Sequence, residues 1–227
     1  MSLATRLKMR APRLASALAV LRALPVGWRK RGSTAHDYVQ RRYEIGGHAP
    51  GHDLAAALAV RAALEGRHAA VAEIGAASGG RILTLKRLLP HVEAYAFDIG
   101  ESYRAPSERE GVKFRQLEDS ALAALPPGTL VFSRGTLCYL TGAEVEAFVA
   151  RAGERRHDLA IVEPMPLFDL GDTVKRGGSS WYHPYPALLA RHGFSGQPGR
   201  AEGAKHSDSL GMLECWYAAW ARAGSAR

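Results

Sequence analysis

The sequence predicts an α/β fold, a doubly wound and mostly parallel sheet with helices on both faces, from three observations. An apolar run beginning at Val71 ends in Glu73, Ile74 and a small-residue turn, Gly75-Ala76-Ala77-Ser78-Gly79-Gly80, which leads into a helix-forming stretch, Arg81 to Leu89. A second apolar run, Val92 to Phe97, closes on Asp98, 25 residues after Glu73. Beyond it, strand-length apolar runs alternate with helical stretches, the order that builds a parallel sheet through crossover helices.

Each element follows in order. A strand over 69–75 is read from its unbroken apolar run, and Gly75 supplies the sharp turn at its carboxyl end. Gly79 and Gly80 free the first amides of a helix over 80–89. Strands over 92–98, 112–117, 129–133 and 158–163 and helices over 142–153 and 185–192 continue the alternation. The ending differs: two extended segments, about 194–200 and 212–221, flank a loop of Gly, Lys, His, Ser and Asp, which predicts a hairpin rather than another crossover. Upstream, Asp53 to Leu64 reads as a helix, and the Gly46 to Gly51 loop with its lead-in Asp37, Tyr38, Tyr43 and Glu44 suits a lid or a surface hairpin.

The turn is a nucleotide cradle, and Glu73 bears on which nucleotide. Residues 75–80 form a degenerate G-x-A-x-x-G with alanine at the second glycine. A carboxylate two residues before the first glycine repels a pyrophosphate but suits a cationic ligand with a sulfonium and an ammonium group, held directly or through water. An acid at the end of the second strand is where ribose hydroxyls find acceptors.

Through Glu73, Gly75, Ala77 and Gly79, the chain resembles the class I S-adenosylmethionine-dependent methyltransferases, whose first motif is an acid-x-Gly-x-Gly-x-Gly variant; alanine here replaces the middle glycine. The resemblance spans about residues 69–221. It implies a Rossmann-like, seven-stranded sheet closed by a reversed last strand, and S-adenosyl-L-methionine as cofactor. It places Ser78 and Ser133 beside that cofactor, Asp98 at the ribose, and Glu118 or Asp119 at the adenine. Asp98 read alone serves equally as a helix cap or a solvated strand end.

Composition fits one enzyme-sized unit. The 227 residues are 47% hydrophobic, and no run of about 18 apolar residues suggests a membrane span. The two cysteines, Cys138 and Cys215, are too few for a disulfide framework, so a reducing, cytoplasmic setting is expected. Residues 1–36 hold eight of the 30 bases and none of the 22 acids, leaving the remainder balanced at 22 against 22. A neutral body argues against a nucleic-acid face, whereas the basic arm, with Leu3, Leu7, Leu14, Leu18 and Leu21, fits a packing extension, an organelle transit segment or a weak contact with anionic surfaces. The expected organisation is an arm over 1–36, a helical cap over 37–68 and a cofactor-binding core over 69–227. Nothing in the composition sets the oligomeric state.

Other chemistries fall away by inspection. There is no P-loop lysine, no tyrosine with lysine four residues on, and no H-E-x-x-H. His48 and His52 flank Pro50 and Gly51 and read as loop residues rather than a metal pair. Ser133-Arg134-Gly135 lacks the Asn/Asp-Pro-Pro-aromatic motif of nucleobase methyltransferases and the aspartate of magnesium-dependent catechol-type enzymes; Glu163 alone is a poor magnesium site, so transfer without a metal is implied.

The connection Pro164 to Pro186 reads as the acceptor wall, with Phe168, Asp169, Trp181, Tyr182 and His183; Arg134 and Tyr43 are further candidate acceptor contacts. His183 is either a general base or part of a packed aromatic turn, the two readings weighing evenly. Ser179 to Pro186 is locally similar to sugar O-methyltransferases. The expected function is metal-independent methyl transfer to a small hydroxyl-bearing metabolite or glycoside. An NAD-dependent oxidoreductase and a non-catalytic adenosyl-ligand or membrane-associated module are the alternatives.

Overall fold

The computed structural model describes residues 51–77, 79–100, 108–118, 121–166, 170–177, 180–206 and 213–224, with backbone alone for 51–56, 177, 197–206 and 213–216. Helix α1 (Gly51–Gly66) is the first described element. Gly51 and His52 thus lie on a helix, not in the expected loop, while Tyr43, His48 and the rest of the supposed lid up to Pro50 lie outside the described residues.

Strand β1 (Ala70–Ile74), helix α2 (Gly80–Leu88), strand β2 (Glu93–Asp98), strand β3 (Val112–Gln116) and strand β4 (Leu130–Arg134) follow the sequence reading to within a residue or two. Helix α3 (Gly142–Glu154) opens on a capping box: the Thr141 hydroxyl accepts from the Glu144 amide, and Glu144 reaches back to the Thr141 amide. Strand β5 (Asp158–Pro166) runs three residues beyond its expected end. The wall that follows contains a small antiparallel hairpin of β6 (Val174–Gly177) and β7 (Ser180–Tyr182). Helix α4 (Tyr185–Arg191) and strands β8 (Phe194–His206) and β9 (Leu213–Ala223) complete the chain order.

The seven-stranded sheet has the order β3-β2-β1-β4-β5-β9-β8. Strands β1 to β5 pair parallel, and β9 is antiparallel to both β5 and β8. The expected hairpin forms, but the reversed strand lies inside the sheet and β8 holds the edge.

Two apolar layers clamp the sheet, as strand alternation dictates. On one face Ala72, Ile74, Phe97 and Ile161 meet Val145, Val149, Leu188 and Leu189 from α3 and α4. On the other, Val71, Ala96 and Phe132 meet Ala59, Ala62 and Ala63 of α1 and Ile82 and Leu85 of α2. The segment read as a cap over 37–68 thus contributes, through α1, a packed layer of the sheet. No helix among the described residues is long and apolar enough to cross a membrane.

Candidate cofactor and acceptor site

Strand order reverses between β1 and β4, and the loops leaving these two strands meet there. Gly75 has φ of 73°, and a Cβ on it would lie 2.0 Å from the Thr136 hydroxyl oxygen, so conformation and space both require glycine. Ala77 and Gly79 also take positive φ, 47° and 71°, folding the turn back toward β2. Asp98, only 7% exposed, receives it: Oδ2 accepts from the Ala77 amide at 2.7 Å and Oδ1 from the Gly100 amide at 3.1 Å. An ionised carboxylate has about four lone-pair positions, so two remain for a ligand.

Glu73 sits differently from the sequence expectation. It is fully buried, with Oε1 receiving Arg81 Nε at 2.5 Å and Oε2 receiving the Ile82 amide at 3.1 Å. Gly79, at the start of α2, has no side chain with which to cap the helix, and the strand carboxylate takes that task from below. Burial raises its pKa while Arg81 opposes the rise. Burial, not the number of its hydrogen bonds, keeps Glu73 from a ligand ammonium, and Arg81 offsets the charge on which the choice between nucleotide classes rested.

Ile99, next to Asp98, is 56% exposed, an apolar surface at a strand end that sequence reasoning passed over. Its signal was present, since the apolar run continues one residue beyond the acid. Nearby, a cleft of about 340 Å³ is lined by Phe97, Phe114, Gln116 and Glu118 among others. Glu118 is exposed, whereas Ser78 and Asp119 lie outside the described residues.

At the carboxyl ends of β4 and β5 a second buried carboxylate organises the chain. Glu163 Oε1 accepts from Ser133 Oγ at 2.7 Å and from the amides of Thr136 and Leu137 at 3.0 and 3.1 Å, and Oε2 accepts from Cys138 at 3.3 Å. It thereby caps a 3-10 helix, Leu137–Tyr139. Burial raises its pKa against all four hydrogen bonds. Ser133, read as a cofactor contact, spends its hydroxyl here. Arg134, read as an acceptor contact, is buried and by alternation shares the face of Leu130 and Phe132, opposite Ser133.

His183 is fully buried and both ring nitrogens are engaged, Nδ1 with Thr173 Oγ1 at 3.1 Å and Nε2 with the Leu137 carbonyl at 3.2 Å. A carbonyl only accepts, so Nε2 carries the proton and the threonine hydroxyl donates to Nδ1. Burial lowers the pKa to about 4. This geometry is that of the packed turn: neither nitrogen is open to take a proton from an acceptor. The histidine instead joins the wall hairpin to the 3-10 helix. Trp181 is half-buried beneath Lys175 Nζ, 3.9 Å from its ring centre, and Tyr182 is fully buried with Arg176 5.7 Å over it. Asp169 lies outside the described residues. No cluster of three or more His, Cys, Asp or Glu suited to a metal occurs among the described residues.

The architecture superposes on magnesium protoporphyrin IX methyltransferase from Synechocystis PCC 6803 with bound S-adenosylhomocysteine, at 16% identity and a TM-score of 0.56, covering 85% of this chain and 96% of that one. The fold is that of the class I S-adenosylmethionine-dependent methyltransferases. Burkholderia thailandensis 1,6-didemethyltoxoflavin-N1-methyltransferase, with its substrate and S-adenosylhomocysteine, matches at 18% identity and a TM-score of 0.55 over 82% of this chain and 87% of that one. An O-methyltransferase family protein from the same organism matches at 14% and 0.53, over 78% and 56%. No family model matches the chain. No curated protein matches it in sequence either.

Proposed function

We propose that the protein is an S-adenosyl-L-methionine-dependent methyltransferase acting on a small-molecule acceptor. The carrying observation is the Ala77–Asp98 tie at the point where strand order reverses, in a fold shared with methyltransferases bound to S-adenosylhomocysteine. The residues fit the cofactor: Asp98 has two acceptor positions left for ribose hydroxyls, Ile99 offers an exposed apolar face to a flat base, Glu118 lines the cleft after β3, and the small residues of the turn allow close approach of the methionine part. Bound there, the cofactor supplies an electrophilic methyl group on a sulfonium.

The chain's own task is alignment and exclusion of water. Glu73 and Arg81 hold the turn; Glu163, the 3-10 helix and His183 hold the wall hairpin over the ends of β4 and β5. With His183 committed to packing, the reading that fits is transfer to a hydroxyl acidic enough to ionise without a general base, such as a phenol or enol, and without a metal. Trp181, half-buried, places aromatic surface on that side.

Calorimetry with S-adenosylhomocysteine and with NAD tests the cofactor, and tighter binding of NAD overturns the reading. An acceptor screen that follows S-adenosylhomocysteine release, with and without EDTA, tests the chemistry. Activity lost to EDTA and restored by magnesium would refute transfer without a metal.

A further inference from the structure

Tyr185 is the first residue of α4 and is fully buried, yet its hydroxyl has no hydrogen-bond partner. The ring is held from two sides: it stacks on Tyr217 at 5.7 Å and 10°, and meets the edge of His183 at 5.5 Å. A phenylalanine would fill the same space without stranding a polar group, so packing does not account for the hydroxyl. Its electrostatic neighbours are Glu163 of β5, Cys138 of the 3-10 helix that Glu163 caps, and Arg176 of the wall hairpin. Glu163 is already occupied by four donors and does not take the phenol.

We propose that the Tyr185 hydroxyl is an acceptor-binding group, completed by a hydrogen bond from an uncharged polar group of the acceptor. The assignment rests on the methyltransferase reading above. The class follows from the two opposed charges: a cationic acceptor would face Arg176, and an anionic one Glu163, whereas a neutral hydroxyl or amide meets neither penalty. Burial also raises the phenol's own pKa, keeping it protonated and therefore a hydrogen-bonding group, not a base.

The test uses the full chain carrying tyrosine labelled with ¹³C at Cζ, whose shift reports hydrogen bonding of the phenol, with Tyr185→Phe to assign the signal. Phenol, benzoate and benzylammonium are added with and without saturating S-adenosylhomocysteine. The expected result is that phenol moves the Tyr185 signal, that the charged probes bind at least tenfold more weakly, and that Tyr185→Phe weakens phenol about tenfold. Tyr185→Phe should also melt at or above the wild-type temperature and leave S-adenosylhomocysteine affinity unchanged. An unmoved signal, equal phenol binding by Tyr185→Phe, stronger binding of a charged probe, or a lowered melting temperature would each overturn the proposal. Failure of S-adenosylhomocysteine to bind the wild type would instead overturn the methyltransferase reading, while phenol binding and melting temperature still decide the role of Tyr185.

Discussion

Asp98 Oδ2 accepts a hydrogen bond from the Ala77 amide at 2.7 Å, so the acid that closes β2 holds the turn that leaves β1. One carboxylate thus shapes the turn and, in the proposed reading, binds the ribose.

Asp98→Ala should therefore weaken S-adenosylhomocysteine by about tenfold or more, since each hydrogen bond to a charged group contributes about 1.5 to 3 kcal/mol. Asp98→Asn, which keeps an acceptor oxygen for the turn, should lose less. Calorimetry giving wild-type affinity for Asp98→Ala would remove the ribose assignment.

Removing Arg81 leaves Glu73 as a buried, uncompensated carboxylate. Arg81→Leu should destabilise the fold by about 3 to 5 kcal/mol, and the double variant Glu73→Gln/Arg81→Leu by less than the sum of the singles. Urea unfolding measures both, and an Arg81→Leu variant within about 1 kcal/mol of wild type would show that the pair does not anchor the turn.

His183 should respond to pH as a buried neutral imidazole. Its folded-state pKa of about 4 lies below the ordinary 6.5, so between these values the unfolded chain binds the extra proton. The contribution is fully present above pH 6.5 and is lost as pH falls through 4, by roughly 3 kcal/mol when complete. His183→Gln, which can keep one donor and one acceptor, should flatten that slope in denaturation curves and keep most of the turnover. A fall of about 10² to 10⁴-fold in turnover with unchanged stability would restore the histidine as a base.

Deleting residues 1–30 should leave cofactor affinity near wild type, because β1 begins at Ala70 and Asp98 lies beyond it. Any attraction of the arm to anionic vesicles should amount to about 1 kcal/mol per base near the surface and fade with salt. Turnover lost on deletion with cofactor affinity spared would make the arm part of the acceptor side.

The strand-turn-helix and the final hairpin were legible because each is local: an apolar run, glycines at positive φ, and a polar loop between two extended segments announce themselves within about ten residues. The slot of β9 between β5 and β8 is a pairing across more than 40 residues and leaves no local mark. The roles of the acids were similarly hidden. Glu73 finds Arg81 only because strand alternation and the rotation of α2 turn both toward one face, and Glu163 caps a 3-10 helix 26 residues before it in the chain. His183 showed its residue type but not its burial, and burial is what decides between base and strut.

The internal position of β9 also bears on synthesis. Strand β5 exposes a full edge of amides and carbonyls until residues 213–223 have left the ribosome, and β8 reaches the sheet only through that same segment. The nascent chain can form the β1–β5 core early, but it carries a sticky edge that waits for the last strand, the stage at which holdase chaperones would bind and strand mispairing would begin.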